Sequence, residues 1–583
     1  MPSPVSATRW NLLRPSADAV DRIERELGVS TILATVLVNR GAAEPDAAHR
    51  FLSPSLAQLH DPLAMRGMTE AVFTVARAVR EGRRILVWGD YDVDGVTGTV
   101  LLVDFLRRHT PAVSYHIPHR TEEGYGLDAA ALRRFAAQGV SLIVTVDCGI
   151  SNAAEVAEAR ALGVDVVVTD HHEPPAALPA ANAVLNPRRP GCRYPFKSLA
   201  GVGIAFKLAQ AVARLIGPGA CTEGDELLHA YLDLVALGTV ADIAPLVGEN
   251  RALVRHGLDV LGSGARPGVR ALLQSAGIET RPLRAAQIGF GLGPRINAAG
   301  RLERADTAVE LFLTDEPRQA ARLADLLERL NARRREIETL IREEAVRMIE
   351  EEGGRRGERV LVLAAPGWHP GVIGIVAAKV AERYSRPALL VSTGRDPGKG
   401  SARSVDETNL YAELCRVRHL FTALGGHAHA AGFSISERDI PALRRELNLP
   451  TTGGGPAASA TRRIDIDAAL DFADLRPALV EELRRLAPFG HGNPEPSFAT
   501  RSVRLAQAPR TVGSNHLRLT LVQKPHARSF IGFNLGGFAV DLAAGLGIDI
   551  AYDLDLEGGP RGGWERFRLR DIRIPYDTLA PGV

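Results

Sequence analysis

From residue 83 to about residue 190 the chain alternates between two hydrophobic periods. Short apolar runs, "RRILVWG", "VSYHIP", "SLIVTVD" and "DVVVTD", are separated by segments such as "LDAAALRRFAAQG" and "NAAEVAEARALG", whose apolar positions recur at helical spacing. This alternation predicts an α/β domain with a doubly wound parallel sheet. Residues 1–80 read as helices, among them "SADAVDRIERELG", which opens on a Ser cap and closes on Gly, and "MTEAVFTVARAVREG". Helical patterns dominate again to about residue 315. The charged stretch 316–352 predicts one long helix joining two domains, with a helical hairpin as the alternative. A second, smaller α/β unit follows over 353–450, carried by "GERVLVLAA", "GVIGIVAAKVAERYS" and "RPALLVS". "PTTGGGPAAS", 450–459, reads as a flexible linker. After it, over 460–583, come one helix and short strand-like runs such as "HLRLTLVQ" and "GIDIAYDLDL", the pattern of a small β-barrel.

Three or four such units are what 583 residues require, because a single core stops growing well below that length. A hydrophobic content of 45% and a charged content of 24% place the chain among soluble globular proteins. The net charge of +2 means that any basic surface is local. Four cysteines without a CxxC pair argue against a disulfide framework or a thiolate zinc site and fit a reducing cytoplasm. The N-terminus lacks the charged start and long apolar run of a signal peptide, and no apolar run is long enough to span a membrane. One stretch is locally basic. Between Pro496 and Val540 there is no Asp or Glu, while Arg501, Arg504, Arg510, Arg518, Lys524 and Arg528 are cationic. Such a face on a β-barrel suits a polyanion backbone. Phe498, Phe530 and Phe533 nearby either stack on bases or fill the barrel, and core filling is the expectation for each.

The chemistry concentrates where the apolar runs end. "GDYDVDG" sets Asp90, Asp92 and Asp94 directly after one such run. Like charges this close repel unless a positive charge sits among them, and a metal ion is the natural one. A calcium EF-hand loop opens in the same way, but its twelfth position calls for Glu and here is Leu101, and the segment follows a strand. "LIVTVDCGI" puts Asp147 after the next run, "VVVTDHHEPP" puts Asp170, His171 and His172 after another, and Asp242 stands in the otherwise apolar "LVALGTVADIAPL". Each alone is more often a helix cap or a surface pair. Together they place carboxylates and imidazoles at the ends of neighbouring strands, the crevice where open parallel sheets bind ligands. Mixed Asp and His ligation suits Mn²⁺ or Mg²⁺, and more than three carboxylates suggest two ions.

"GDYDVDG", "VDCG", "TDHHE" and "GTVADIAPL" resemble the four ordered motifs of the DHH phosphoesterase superfamily, whose naming triplet is Asp170-His171-His172. The resemblance implies two divalent ions, Mn²⁺ or Mg²⁺, held by Asp92, Asp94, Asp147, His171 and Asp242, with Asp147 bridging. His172 would be a ligand or lie immediately beside them, and Asp90 and Asp170 would support the site from outside. "PHRTEEGYGL", "LAGVGIAFKLAQ" and "GPRINAAGRL" resemble the RecJ family of bacterial single-strand-specific 5′→3′ exonucleases. "GWHPGVIGIVAAKVAERYSRP", "GSARS" and "GGHAHAAGF" resemble its DHH-associated domain, and "LAPFGHGNPEPSF" resembles the start of its OB-fold. The implied organisation is a helical extension (1–80), a DHH catalytic domain (81–315), a connecting helix (316–352), a DHH-associated domain (353–450) and an OB-fold (460–583).

The substrate-binding candidates are Arg295, Asn297 and Arg301 of "GPRINAAGR", Ser401, Arg403 and Ser404 of "GSARS", Gly426 and His427 of "GGHAHAAG", and Arg518 of the basic module. "GSARS" and "GGHAHAAG" read as Gly-rich turns whose N–H groups can approach phosphate. The activity implied is two-metal hydrolysis of single-stranded DNA to 5′-mononucleotides by a cytoplasmic, monomeric enzyme of recombination and repair. Single-strand-binding protein and a RecQ-type helicase are the partners the family suggests. Two rivals remain at this point. A DHH phosphodiesterase for short oligonucleotides or cyclic dinucleotides would need neither the N-terminal helices nor the basic module. A non-catalytic DNA-binding scaffold would be expected to have lost metal ligands, and here none is missing.

Overall fold

The computed structural model describes residues 8–120, 122–216, 229–279, 282–351, 358–405, 409–449, 463–513, 515–556 and 567–574. The stretch read as a linker, 450–459, and Cys221 lie outside them. No described helix is long and apolar enough to cross a membrane.

Among the described residues the first element is a short strand, β1 (Arg9–Leu12), before the helices Ala17–Leu27, Thr31–Asn39 and Pro45–Leu52. The first sheet then collects β2 (Arg84–Trp88), β3 (Val113–His116), β4 (Val140–Thr145), β5 (Asp165–Thr169) and β6 (Ala183–Leu185), all parallel, in the order β3-β2-β4-β5-β6. Its apolar strands are covered on both faces: Leu86 and Trp88 face one cluster, Ile85 and Val87 the other. The second unit holds β7 (Leu361–Pro366), β8 (Ala388–Thr393), β9 (Gly398–Arg403), β10 (Phe421–His427) and β11 (Ala430–Ile435), ordered β10-β11-β9-β8-β7, with only β7 and β8 parallel. A single helix, Pro317–Glu350, links the two units, so the hairpin alternative falls. Its apolar residues serve both: Ala320, Ala324 and Leu327 pack in the first core, Ile341, Ala345 and Ile349 in the second.

The third unit has β12 (Arg463–Ile466), β13 (Ala468–Ala469), β14 (Ser497–Leu505), β15 (Arg510–Val512), β16 (His516–Gln523), β17 (His526–Gly532), β18 (Gly547–Leu554) and β19 (Phe567–Arg573). The pairing β14-β18-β19-β17-β16, with β16 returning to β14, closes a five-stranded barrel. Phe498 and Phe530 fill it, whereas Phe533 is 51% exposed.

Two features differ from the sequence reading. Residues 1–80 are not one helical extension. Arg9–Leu12 is a strand paired in parallel with Arg463–Ile466, and Trp10 Nε1 donates to Asp571 at 2.7 Å. The three helices from Ala17 to Leu52 share the barrel's core, while the helix Met68–Arg80 packs with the first sheet. A helix's apolar stripe shows that it docks, not where. Second, "GSARS" and "GGHAHAAG" are not turns but the strand β9 and the hairpin β10–β11. Glycine stands in β9 because the Phe433 ring lies across it: a Cβ on Gly400 would come within 2.1 Å of that ring.

The first and third units are joined by a buried cation. Arg251, 2% exposed, donates from Nε to the Phe51 carbonyl at 2.9 Å, and from its terminal nitrogens to the carbonyls of Leu486 at 2.7 Å and Ala487 at 2.9 Å. Replacing it leaves several buried carbonyls without donors, each costing about 1–3 kcal/mol. Arg251→Ala is therefore expected to lower the urea midpoint and to open the 485–488 region to proteolysis at urea concentrations that leave the wild type intact. Lysine should restore only part of the loss, because one ammonium cannot serve carbonyls on two sides. A wild-type midpoint in Arg251→Ala would show the joint to be held by something else.

Candidate metal centre

The acidic residues gather at the carboxyl ends of β2, β4 and β5, and helix N-termini decide how each is used. Asp92 caps the helix Val93–Arg107, its Oδ1 accepting from the N–H groups of Asp94 at 2.9 Å and Gly95 at 3.1 Å. Asp94, on that helix's first turn, is 1% exposed and reaches the start of the helix Gly201–Ile216. Its Oδ2 accepts from Gly201 N at 2.6 Å and its Oδ1 from Val202 N at 2.8 Å. The approach requires glycine at 201, since a Cβ there would lie 2.7 Å from that of Asp147. Asp147 itself is held at φ 61°, a left-handed conformation that a non-glycine residue adopts at some cost, and Tyr125 Oη donates to its carbonyl at 2.9 Å.

The histidine pair follows β5. Asp170 is fully buried and its oxygens are occupied: Oδ1 contacts His172 Nδ1 at 2.7 Å and Oδ2 accepts from Ile150 N at 2.9 Å. It orients His172 from behind. The His171 Nε2 lies 3.0 Å from Asp147 Oδ1 and its Nδ1 lies 3.8 Å from Asp242 Oδ2. Asp242 ends the helix Leu232–Ala241.

Three groups result whose ligand atoms lie within 4.8 Å of one another: Asp94, His171 and Asp242; Asp147, His171 and His172; and Asp90, Asp92 and Asp147. Asp147 and His171 are each shared between two. Asp90 Oδ1 is buried without a hydrogen-bond partner, and so are Asp147 Oδ1 and His171 Nε2, which lie 3.0 Å apart without forming a hydrogen bond. Buried polar atoms left unpaired among oxygen and imidazole donors fit hard divalent cations. Asp90, expected to stand outside, thus offers an oxygen of the same quality as Asp147.

The electrostatics agree with the geometry. Burial, reinforced by Asp92, pushes Asp94 up to about 7, and burial with Asp94 and Asp92 pushes Asp242 up to about 9. Asp90 and Asp147 are raised well above the usual carboxylate range, again by burial first. Burial, then the neighbouring His172, drives His171 down to about 3, which keeps a ring nitrogen free to ligate. Burial opposes charge on His172 too, but the Asp170 hydrogen bond outweighs it and raises this ring to about 9.

The second unit closes on this crevice. His427 stacks on His172 with centroids 6.0 Å apart and planes at 14°. Gly426, its neighbour in β10, pairs with Ala431 and admits no side chain. Arg403 on β9 donates to Ser401 Oγ at 3.0 Å, and burial and the charge of Arg120 both lower its pKa. Arg301, half-buried, donates to the Gly371 carbonyl at 3.1 Å and is pushed down to about 9 by desolvation and by Arg120, Arg334 and Arg403. Arg120 lies over the Tyr91 ring at 4.2 Å. Guanidinium groups from both units therefore converge beside the acidic crevice, where the charge of Arg120 works against the upward shift of Asp90.

Other candidates stand elsewhere. Arg295 is engaged by Glu328 of the long helix and by the Gly291 carbonyl, so it braces helices. Asn297 is half-buried on the same helix. Ser404 bonds through its N–H to the His429 carbonyl at 2.9 Å. Arg518 is exposed on β16 of the barrel, directly opposite Arg510 on β15. Arg120 and Tyr125 went unread in the sequence, although both lie in "PHRTEEGYGL", where only three-dimensional proximity gives them meaning.

Comparison with known proteins follows this layout. Residues 84–239 match the DHH family, N-terminal domain, residues 357–449 the DHHA1 domain, and residues 466–558 the RecJ OB domain. The single-stranded-DNA-specific exonuclease RecJ of Bacillus subtilis (strain 168) is 35% identical over 592 aligned positions, 99% of this chain and 74% of that protein. The crystal structure of RecJ in complex with Mn²⁺ from Thermus thermophilus superposes with a TM-score of 0.82 at 32% identity, over 98% of this chain and 80% of that one. The complex with Mg²⁺ from the same organism gives 0.76 at 29% identity, over 98% and 79%.

The raised groups set a sign for pH. Asp242 passes from its ordinary 3.8 to about 9 on folding and His172 from 6.5 to about 9. In both, the folded chain holds a proton that the unfolded chain releases earlier, so stability present at low pH is lost as pH rises toward 9. Divalent cations held by these groups would replace those protons. The melting-temperature gap between Mg²⁺-loaded and EDTA-treated protein is expected to widen steadily from about pH 6.5 to about pH 8.5. A gap independent of pH would mean that the ions bind away from these groups.

Proposed function

The chain belongs to the RecJ family, and from that premise we propose that it is a metal-dependent exonuclease that degrades single-stranded DNA from the 5′ end and releases 5′-mononucleotides. The observation that carries the direction is the convergence of Arg120, Arg301 and Arg403 beside the acidic crevice. Three guanidinium groups, two of them desolvated, repel one another unless an anion sits between them. A terminal 5′-phosphate, close to doubly charged at neutral pH, is such an anion, whereas a 3′-hydroxyl end offers none. With the terminal phosphate there, the next phosphodiester falls on the crevice and one nucleotide is cut off.

Asp92, Asp94, Asp147, His171 and Asp242 would hold two divalent ions, with Asp147 between them and Asp90 and His172 adjoining. Bound Mn²⁺ or Mg²⁺ supplies positive charge to the phosphoryl and leaving oxygens and makes water a better nucleophile. The chain does the positioning. Asp170 fixes the His172 ring, Tyr125 fixes the backbone of Asp147, and the N-terminus of helix Gly201–Ile216 fixes Asp94. His427 covers His172 from the second unit, so the crevice is complete only with both units in place. The barrel presents Arg504, Arg510 and Arg518 in water and would carry the rest of the strand by its phosphates. The setting we infer is cytoplasmic DNA repair and recombination, with single-strand-binding protein and a RecQ-type helicase as partners and a monomeric enzyme.

The test separates the terminal phosphate from the chemistry. Arg403→Ala and Arg120→Ala are each expected to slow cleavage of a 5′-phosphorylated single strand by about tenfold to a hundredfold, a loss of roughly 1.4–2.8 kcal/mol in kcat/KM. A 5′-hydroxyl strand, already slow, should lose much less. Equal losses on the two strands would remove the arginines from the end-binding role, and faster release from 3′-labelled than from 5′-labelled strands would overturn the direction.

A further inference from the structure

Among the described residues Phe290 is the most exposed large apolar side chain, at 89%. It crowns a five-residue π-turn, Ile288–Leu292, set ahead of the helix Gly293–Leu302. Such turns are rare and recur at functional sites. This one is firmly anchored. Ile288 and Leu292 are buried on either side of Phe290, and Arg295 Nη1 donates to the Gly291 carbonyl at 2.7 Å while its Nε pairs with Glu328. An anchored turn that lifts an aromatic ring into water forgoes the stabilisation of burying it.

The ring's position shows what it can meet. At one end of the helix that follows, Gly300 abuts Tyr91 and Arg301 joins the guanidinium cluster. At the other end, Gly293 abuts Ala241, one residue before Asp242: a Cβ on Gly293 would lie 3.5 Å from that of Ala241. The helix therefore runs along the metal centre, from the end-binding side to the Asp242 side. The eight residue steps from Gly293 to Arg301 span about 12 Å at about 1.5 Å each, between three and four stacked base steps of about 3.4 Å. On the Asp242 side too, Ile243 is 69% exposed and held at φ 59°, a strained conformation for a β-branched residue.

We propose that Phe290 stacks on a nucleobase of the strand on the uncleaved side of the scissile phosphodiester, with Ile243 supplying apolar contact beside it. The inference rests on the reading above, in which the terminal phosphate occupies the arginine cluster. Every base has a π-face, so the contact tolerates any sequence. A base inside a duplex has both faces covered by its neighbours, so the same ring favours single strands without reading them.

The test uses the full chain with Mn²⁺ and 5′-phosphorylated oligonucleotides in which one base at a time, from the second to the fifth, is replaced by an abasic sugar. At one position the abasic change should raise KM of the wild type about tenfold, and Phe290→Ala should raise KM of the unmodified strand by a similar factor. Combined, the two changes should cost no more than either alone, and Phe290→Trp should restore a KM near that of the wild type. Losses that multiply at every position, or a folded Phe290→Trp no better than alanine, would overturn the stacking role. A wild type that fails to cleave the unmodified strand would instead overturn the reading of function on which the proposal rests.

Discussion

Carboxylates do not collect in a buried crevice unless the backbone compels them to. Here Asp90, Asp94 and Asp147 are each no more than 4% exposed, and their mutual repulsion is what the rest of the first unit is arranged to withstand. Two devices do it. Helix N-termini lend partial positive charge, one capped by Asp92 and another aimed at both oxygens of Asp94. Parallel strands that end side by side fix the remaining groups by their register, Trp88 beside Thr145 and Thr145 within hydrogen-bond reach of Thr169, so that Asp90, Asp147 and Asp170 leave the sheet together. What these devices leave unmet, divalent cations are suited to complete.

The sequence made the strands of the first sheet legible because a strand buried on both faces is an uninterrupted apolar run bounded by Asp and Gly. The order of the motifs showed which acids belong together. It could not show how they differ. Asp90, Asp92 and Asp94 look alike in "GDYDVDG", yet one is an unpartnered buried oxygen, one a helix cap and one an acceptor from a second helix. Asp170 carries part of the family's name, yet both of its oxygens are occupied by protein. These distinctions arise from neighbours far along the chain.

What sequence reading missed has the same origin. Arg9–Leu12 pairs with a strand more than 450 positions away, and Asn11 bonds to Asp465 across 454 residues. Nothing in four residues announces that. The strands β9 to β11 are rich in Gly and Ala, which have little β-propensity, and they hold because Phe433 and its neighbours pack on them. Arg120 is one arginine among many until Arg301 and Arg403 arrive beside it from other elements.

Those three arginines and the acids beside them form two charge clusters of opposite sign near one another. Without ions, an anionic strand entering the crevice would meet attraction from one and repulsion from the other, and on the proposed reading would be held only at its end. Divalent cations held among the acids would reverse that repulsion and draw the strand along the whole crevice. The arginines come from both units, Arg120 and Arg301 from the first and Arg403 from the second, and Arg301 already reaches across to the Gly371 carbonyl. In the proposed reading, a terminal phosphate that satisfied all three would also tie together the two units whose His427 and His172 stack. Strand end, metal centre and interdomain closure are in this way one electrostatic problem, and the fold answers it with a rigid helix, Pro317–Glu350, that keeps the two units within reach of each other.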